Sequence, residues 1–571
     1  MSRYLRIGGG VGLSLAAAWS VDHFVFCDAT MRTLRTAKAG ALVALDYKLN
    51  FVPGSFDAVH KHAADVILDT CKKNNGLYIK FAQQIATFSA ILPPQWHEFR
   101  TLYDQAPSVS YAKVVEVIKQ ELGSHPDELF DSFEQVPIAS ASIAQVHRAR
   151  VKGTGELVAV KVQKPEVKVQ VEMDLFAFRV VVSVLERLFD LPMSWTVKTI
   201  EHHLRQELDF VRECRNAEKA AECIQQVPSL AASVHVPKVY WNLTTSRVMT
   251  AEWIDGVNFG HVETVEKTWS QDKIAGMMTV LVDLFSDQIF RTGFVHCDPH
   301  PGNILLRPHP LNPSNPQIVL LDHGLYIQSS EQFTQDYTRL WTSLFSHDIS
   351  TVEEIVKRWG INDTQMFAMG TLQKPWSKRS GVSSTMTDVF DSTYGRPLSS
   401  DPEIRKKEMY EMQMKMKERA KKYLADTDRV PRELIFVGRN LNIIRSNNKV
   451  YGSPVNRINL MCDWAVKSQN ARDAPLQPPS FATKFKNLVT HPSTTLLPAL
   501  YMSATLFVVS IAFHATRWWN TVRAWWRWVL RKDELSGKKK RVGFEEVMEE
   551  SLRRGVYEQT GVLLDENAFE A

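Results

Sequence analysis

The apolar and polar positions change rhythm along the chain. Residues 30–130 read as mostly helical, broken at Pro93-Pro94 and at Pro107. From about residue 133 the pattern turns strand-like. Residues 156–162 are apolar and β-branched and follow a Gly153-Thr154-Gly155 turn, which predicts a strand. Two helices follow, over about 167–190 and 198–225. A strand over 246–254 then ends at the Asp255-Gly256 turn. An amphipathic helix is predicted over 270–291. Two short strands, 304–306 and 318–321, flank a proline-rich insert at 307–317. The rest reads as helical to about residue 470. Within it, 404–425 is nearly all charges and methionines, as in a solvated helix with one packed Met stripe. Strands thus cluster in the first half of this core and helices in the second, which predicts an N-lobe and a C-lobe with a cleft between them.

Two segments bring in a membrane. Arg3 and Arg6 precede a charge-free, Gly- and Ala-rich run over 7–21, closed by Asp22. Fifteen residues are short for a span of about 20, and a basic, acid-poor start also fits mitochondrial import. Buried helix, span and targeting segment all fit this run. The second segment is richer. No Asp, Glu, Lys or Arg occurs over 487–516, and as a helix its residues 494–513 would measure roughly 30 Å, the thickness of a hydrocarbon core. Trp518, Trp519, Trp525, Trp526 and Trp528 follow, interleaved with Arg517, Arg523, Arg527 and Arg531. Amphipathic rings beside cations suit a lipid headgroup layer, and the basic run at 538–541 adds attraction to anionic lipid. A core helix with a Trp-rich packing face, or a helix lying on the surface, fits the same pattern.

Composition narrows the class. The chain has 571 residues, 44% hydrophobic and 23% charged, enough for a large core and too apolar for disorder. A net charge of +5 over this length leaves no footprint for nucleic acid, and no nucleic-acid partner is expected. The six cysteines form no CxxC pair, so neither a zinc site nor a disulfide framework is expected.

The chemistry concentrates in His296-Cys297-Asp298-Pro299-His300-Pro301-Gly302-Asn303 and in Asp322-His323-Gly324. Phosphoryl transfer needs Mg²⁺ held against phosphates and an acceptor oxygen positioned in line. Mg²⁺ takes oxygen ligands, which a kinase-type site supplies as an Asn five residues after the catalytic-loop Asp and a second Asp in an Asp-x-Gly turn. Asp298, Asn303 and Asp322 have that order. The HxDxxxxN spacing alone is weak; with a DxG after a strand it is strong. Upstream, Val158-Ala159-Val160-Lys161 matches the strand lysine that reaches nucleotide phosphates. A glycine-rich loop is missing. Its place is taken by Ala139, Ser140, Ala141 and Ser142, and alanine lacks glycine's freedom at positive φ.

These residues resemble the UbiB family, the AarF-domain-containing atypical kinases, over about residues 60–460. Ala139–Ser142 is similar to the family's alanine-rich loop, and Lys80-Phe81-Ala82-Gln83 to its Lys-x-Gly-Gln motif with Ala82 in place of the glycine. Glu207-Leu208-Asp209 matches its Glu-x-Asp motif. Residues 207–219 and 293–306 look closest to the mitochondrial branch, of the AarF-domain-containing kinase 1 type and its fungal relatives. The resemblance implies an α+β, two-lobed protein-kinase-like fold with a helical extension over 31–130, an N-lobe over 131–258 and a C-lobe over 259–470; the residue pattern itself adds a targeting or membrane segment over 1–30, a membrane-associated segment over 487–531 and a charged tail over 532–571. The resemblance implies ATP and Mg²⁺ as cofactors, with Ala139, Ser140, Ala141 and Ser142 at the nucleotide, Lys161 on its phosphates, and Asn303 and Asp322 on the metal. Asp298 would be the base or its ATPase equivalent. Glu207, or less readily Glu201, would orient Lys161 or meet Lys80, while Lys80 and Gln83 would occlude the substrate cleft. It further implies ATP hydrolysis or phosphorylation of a small molecule or lipid, with anionic or quinone-like lipid and a membrane as partners. The expected location is mitochondrial, at the inner membrane, in coenzyme Q or lipid homeostasis.

Two other functions compete. A nucleotide-binding scaffold would tolerate loss of Lys161, Asp298, Asn303 or Asp322, and all four are present. A conventional Ser/Thr protein kinase would carry a glycine-rich loop and an Ala-Pro-Glu segment after Asp322, and neither occurs.

Overall fold

The computed structural model describes residues 20–22, 27–52, 55–87, 96, 99, 107–189, 194–361, 364–372, 431–473, 492–529 and 543–560. The 7–21 run (but for Ser20 and Val21), Pro93-Pro94 and the 404–425 helix lie outside them. The chain divides into two compact units, residues 1–215 with 237–253 and 399–425, and residues 216–236 with 254–398 and 426–571.

The first unit begins with three helices, α1 (Ala29–Leu49), α2 (Phe56–Asn74) and α3 (Leu77–Thr87). Its sheet is antiparallel, in the order β1 (Phe130–Phe133), β3 (Ala144–Val151), β4 (Leu157–Gln163), β5 (Val248–Glu252), with β2 (Ala139–Ser140) paired to β3. The period of two along β4 buries Val158, Val160 and Val162 and turns Leu157, Ala159 and Lys161 to the other face. On the buried face lies α4 (Tyr111–Leu122), through Val114, Val117 and Ile118. Gly123 ends α4 at φ 74°, the left-handed conformation that favours glycine after a helix. Then come α5 (Pro165–Phe189) and α6 (Ser194–Glu207). Buried Arg32 ties the extension together: it pairs with buried Asp174 of α5 and donates to the Asn74 carbonyl of α2.

The predicted helix over 198–225 is two helices. Asp209 stops the first and caps the second, α7 (Phe210–Gln225), because its carboxylate accepts the Val211 N–H at 3.1 Å. The division between units falls within α7, after Arg215.

The second unit is built on one large apolar core. A two-residue strand, Val234–His235, pairs with β9 (Asn312–Leu320), which pairs in turn with β8 (Ile304–His309) and that with β6 (Val257–Asn258). β7 (Phe294–His296) pairs antiparallel with β10 (Tyr326–Gln328). Helices α8 (Val262–Thr268), α9 (Gln271–Asp287), α10 (Glu331–Ser346), α11 (Ile349–Arg358) and α12 (Thr364–Leu372) follow in chain order around these strands. The set closes with α13 (Glu433–Val450), α14 (Arg457–Asp473), α15 (Pro492–Val529) and α16 (Phe544–Thr560). The proline-rich insert is largely strand. Its prolines sit in the outer half of the β8–β9 hairpin, where the register shifts between Asn312 and Pro316 and ladder donors are dispensable.

The C-terminal expectations change most. Residues 494–513 belong to a helix of 38 residues whose Val509 and Phe513 pack into the core of the second unit. No helix among the described residues is long and apolar enough to cross a membrane. The same helix exposes Leu500, Tyr501, Phe507, Val508, Ile511, Trp518 and Trp519, so it is apolar on two sides. The segment expected as a charged tail contains α16, whose Phe544 and Leu552 join the core.

Candidate functional site

In the first unit, β4 carries Lys161 on the face opposite its buried valines. Lys161 Nζ donates to both carboxylate oxygens of Glu213, at 2.7 and 2.8 Å, and stands 5.0 Å from the Phe210 ring centroid. Glu213 is buried and Lys161 half-buried. Charge-assisted bonds of this kind are about twice as strong as neutral ones. The partner of Lys161 is therefore Glu213, not Glu207. Glu207 instead forms an ion pair with Lys80 of α3 at 2.9 Å. Glu201 pairs with Arg205 on its own helix. The break at Asp209 explains the choice: it restarts the helical phase four residues before Glu213, whose carboxylate meets Lys161 of β4. The side chain of Gln83 lies outside the described residues.

The alanine-rich loop is held by a lysine that sequence reading missed. Buried Lys164, just past β4, donates to the Ala141 carbonyl at 2.6 Å and to the Pro107 carbonyl at 2.8 Å. Burial pushes its ammonium down to about 8. The loop is further closed by the Ala141 N–H, which donates to Ala144 at 2.8 Å. Ala139 and Ala141 are exposed, Ser140 half-buried, and Ser142 buried; neither serine hydroxyl has a hydrogen-bond partner among the described residues.

In the second unit, strand register assembles what the sequence spaces far apart. Ile304 pairs with Leu320 across the β8–β9 hairpin, and the Leu321 N–H donates to the Asn303 carbonyl at 2.9 Å. Asn303 and Asp322 thus leave the same end of one hairpin. Asp298 precedes Asn303 in a loop wound on its own hydrogen bonds. The Asp298 carbonyl accepts from the His300 N–H at 2.8 Å and from the Asn303 side-chain amide at 3.4 Å. The turn at Asp322 is set the same way, its carboxylate accepting the Gly324 N–H at 2.8 Å, while Asn216 donates to the His323 carbonyl at 2.9 Å.

Beneath the loop lies an aromatic stack. His296 is 4.7 Å from Tyr326 and 6.2 Å from His323, centroid to centroid, and Tyr326 stacks on Phe294. Burial holds the His296 imidazolium below its ordinary range, the nearby Asp298 and Asp322 opposing that shift. A neutral His296 can accept the Asp298 N–H at Nδ1, 3.2 Å away. The neighbouring Cys297 thiol is pushed up to about 12 by burial, which makes it inert as a nucleophile.

Asp298 also meets a cation absent from its own loop: Arg439 Nη2 of α13 lies 3.1 Å from Asp298 Oδ1. Neither Glu213 nor Arg439 was singled out from sequence. Glu213 carries no local signal beyond its spacing from Glu207, and Arg439 carries none.

The donors near the hairpin end are of the type Mg²⁺ takes, a carboxylate at Asp322 and an amide at Asn303. The Asn303 amide nitrogen donates to the Asp298 carbonyl, so its oxygen is the atom that would serve as a ligand. Among the described residues no cluster of three or more His, Cys, Asp or Glu is placed to hold a metal by itself. A kinase-type site does not need one, since phosphate oxygens complete the shell.

Comparison with known proteins bears on this arrangement. Residues 101–356 match the family described as ABC1 atypical kinase-like domain. An ABC1 family protein of Schizosaccharomyces pombe is 35% identical over 482 residues, covering 83% of this chain and 85% of the relative. AarF domain-containing kinase 1 of Drosophila melanogaster is 39% identical over 389 residues, covering 64% and 73%. A Dictyostelium discoideum protein named as a probable serine/threonine-protein kinase is 33% identical over 454 residues, covering 78% and 62%.

Proposed function

The chain belongs to the ABC1, or AarF-domain-containing, family of atypical kinase-like proteins, and on that premise we propose that it binds MgATP and either hydrolyses it or passes its terminal phosphoryl group to a small, lipid-like acceptor. The observation that carries this reading is the hairpin register that brings Asn303 and Asp322 out at one end beside Asp298. Lys161, oriented by Glu213, would neutralise phosphate oxygens. Asn303 and Asp322 would hold Mg²⁺, which screens charge on the transferring group. Asp298 would accept the proton of the attacking hydroxyl or water. Within the first unit, the Lys80–Glu207 pair would tie α3 of the helical extension to α6.

A lipid-like acceptor is supported by the second apolar face of α15 and the Trp and Arg residues at its end, which suit the headgroup layer of an anionic membrane. The basic, acid-poor start supports a mitochondrial location, and with it a role in coenzyme Q or membrane-lipid homeostasis. The test is turnover of MgATP by the full chain, with and without vesicles of anionic lipid and a soluble quinone, in wild type and Asp322→Asn. Mg²⁺-dependent turnover that rises with lipid and falls by roughly a hundredfold or more in Asp322→Asn is expected. No turnover under any of these conditions, with Asp322→Asn fully functional in cells, would overturn this reading in favour of a scaffold.

A further inference from the structure

Helix α13 engages two elements at once. On one side it holds the loop of Asp298. Arg439 reaches the Asp298 carboxylate, the Asn440 amide donates to the His296 carbonyl at 2.6 Å, and the Asn447 amide donates to the Pro299 carbonyl at 3.2 Å. Asn440 and Asn447 are 0% and 3% exposed, so water cannot replace these bonds. On another side α13 grips α16. Arg445 and Lys449 both meet Glu549, at 3.3 and 2.9 Å, and Asn448 donates to Glu545 at 2.9 Å. Glu545 also receives Arg457 at 3.2 Å. At about 100° per residue, Arg439, Asn440 and Asn447 share one face of α13, and Arg445, Asn448 and Lys449 lie roughly opposite. A single rigid helix therefore has the candidate catalytic loop on one face and the acidic start of the C-terminal helix on the other.

The loop itself, residues 296–303, contains no Lys or Arg. The two buried amides of α13 bond the loop's backbone directly, so a displacement of α13 strains the loop. We propose that α13 is the strut that positions the catalytic loop, that Arg439 is the positioning residue for Asp298, and that Glu545 and Glu549 of α16 hold the strut in register from its far side. The Arg439 part rests on the reading of Asp298 as the base; the strut does not. Arg439 keeps the carboxylate oriented by placing a permanent cation against one oxygen. The C-terminal helix thereby becomes part of the active machinery rather than a tail.

Two measurements on the full chain separate these parts. Hydrogen exchange of the backbone amides of residues 294–304 needs no turnover. In Glu549→Gln it should quicken by roughly tenfold, and in Lys449→Met by about threefold, with β4 unchanged. If Glu549→Gln does not fold, Lys449→Met decides, because it keeps the Arg445–Glu549 pair. Loop exchange at the wild-type rate in the folded variants overturns the strut. The split between kcat and KM in MgATP turnover tests Arg439. Arg439→Met should lower kcat by roughly tenfold or more with KM for ATP little changed. Arg439→Lys, which keeps a cation against the carboxylate, should restore part of kcat. A kcat like wild type in Arg439→Met, where Asp298→Asn is inactive, overturns its role. A wild type with no turnover sinks the proposed function and the role of Arg439, and leaves the strut to the exchange data.

Discussion

Replacing Glu213 by glutamine is the sharpest probe of the first unit. The substitution keeps size and shape and removes one charge. In the wild type Lys161 donates to both carboxylate oxygens, and Glu213 is 3% exposed while the Lys161 side chain is 24% exposed. A bond to a charged partner contributes about 1.5–3 kcal/mol and one to a neutral amide about 0.5–1.5. The second oxygen's bond is lost, and the partial exposure of Lys161 lets solvent screen part of the difference. The net loss of orientation at Lys161 is then about 2 kcal/mol, or roughly thirtyfold in affinity for MgATP. Glu207→Gln is the control, since its partner is Lys80 at 2.9 Å and not Lys161. It should leave MgATP affinity within about threefold of wild type, under 1 kcal/mol. Titration of each full-length protein with MgATP, alongside a thermal melt to show that both fold, gives the comparison. Equal losses in the two variants, or wild-type affinity in Glu213→Gln, would refute the assignment of the two carboxylates.

Three further outcomes follow from buried groups and from α15. Arg457→Met removes the cation from the carboxylate of Glu545 and leaves it only the neutral Asn448 amide among the described contacts, both Arg457 and Glu545 being essentially unexposed, and should cost about 3 kcal/mol or roughly 6–12 °C in Tm by differential scanning calorimetry; an unchanged Tm contradicts the docking of α16. Buried His147, hydrogen-bonded at Gln145 and at the Glu134 carbonyl, has its pKa lowered by burial, so the unfolded chain takes up its proton first as pH falls below about 6.5. Stability should therefore drop between pH 7 and 5.5, by at most about 1.4 kcal/mol per pH unit from this group, and His147→Asn should flatten that limb in denaturant titrations. Phe507→Glu together with Trp518→Glu should weaken binding to anionic vesicles by roughly tenfold or more in co-sedimentation, through lost apolar burial at exposed positions, while leaving the melt in place.

Much of the site was legible because its signals are local. Lys161 sits in a strand of alternating buried valines, Asp298 and Asn303 share one loop, and Asp322 opens a tight turn after a strand; each is a pattern a few residues long. Two strands of the five-stranded sheet, predicted over 156–162 and 246–254, were legible for the same reason. The partition of 198–225 was not, because a single carboxylate, Asp209, competes with the helix by bonding the Val211 N–H, and periodicity does not register one capping bond. The run of 307–317 read as an insert because proline argues against a strand, yet the outer half of a hairpin tolerates missing donors.

By itself, then, the sequence determined the kinase-type order of Lys161, Asp298, Asn303 and Asp322, and the alternation that puts Lys161 on a sheet face. Local chain geometry is enough for that. Only the tertiary structure decided that Lys161 takes Glu213 while Glu207 takes Lys80, that Lys164 props the alanine-rich loop, that Arg439 stands at Asp298, and that an apparent charged tail docks by Glu545 and Glu549. Each is a contact between residues far apart in the chain, fixed by how helices are phased and packed. Burial then makes it binding, since a charge removed from water must find its partner.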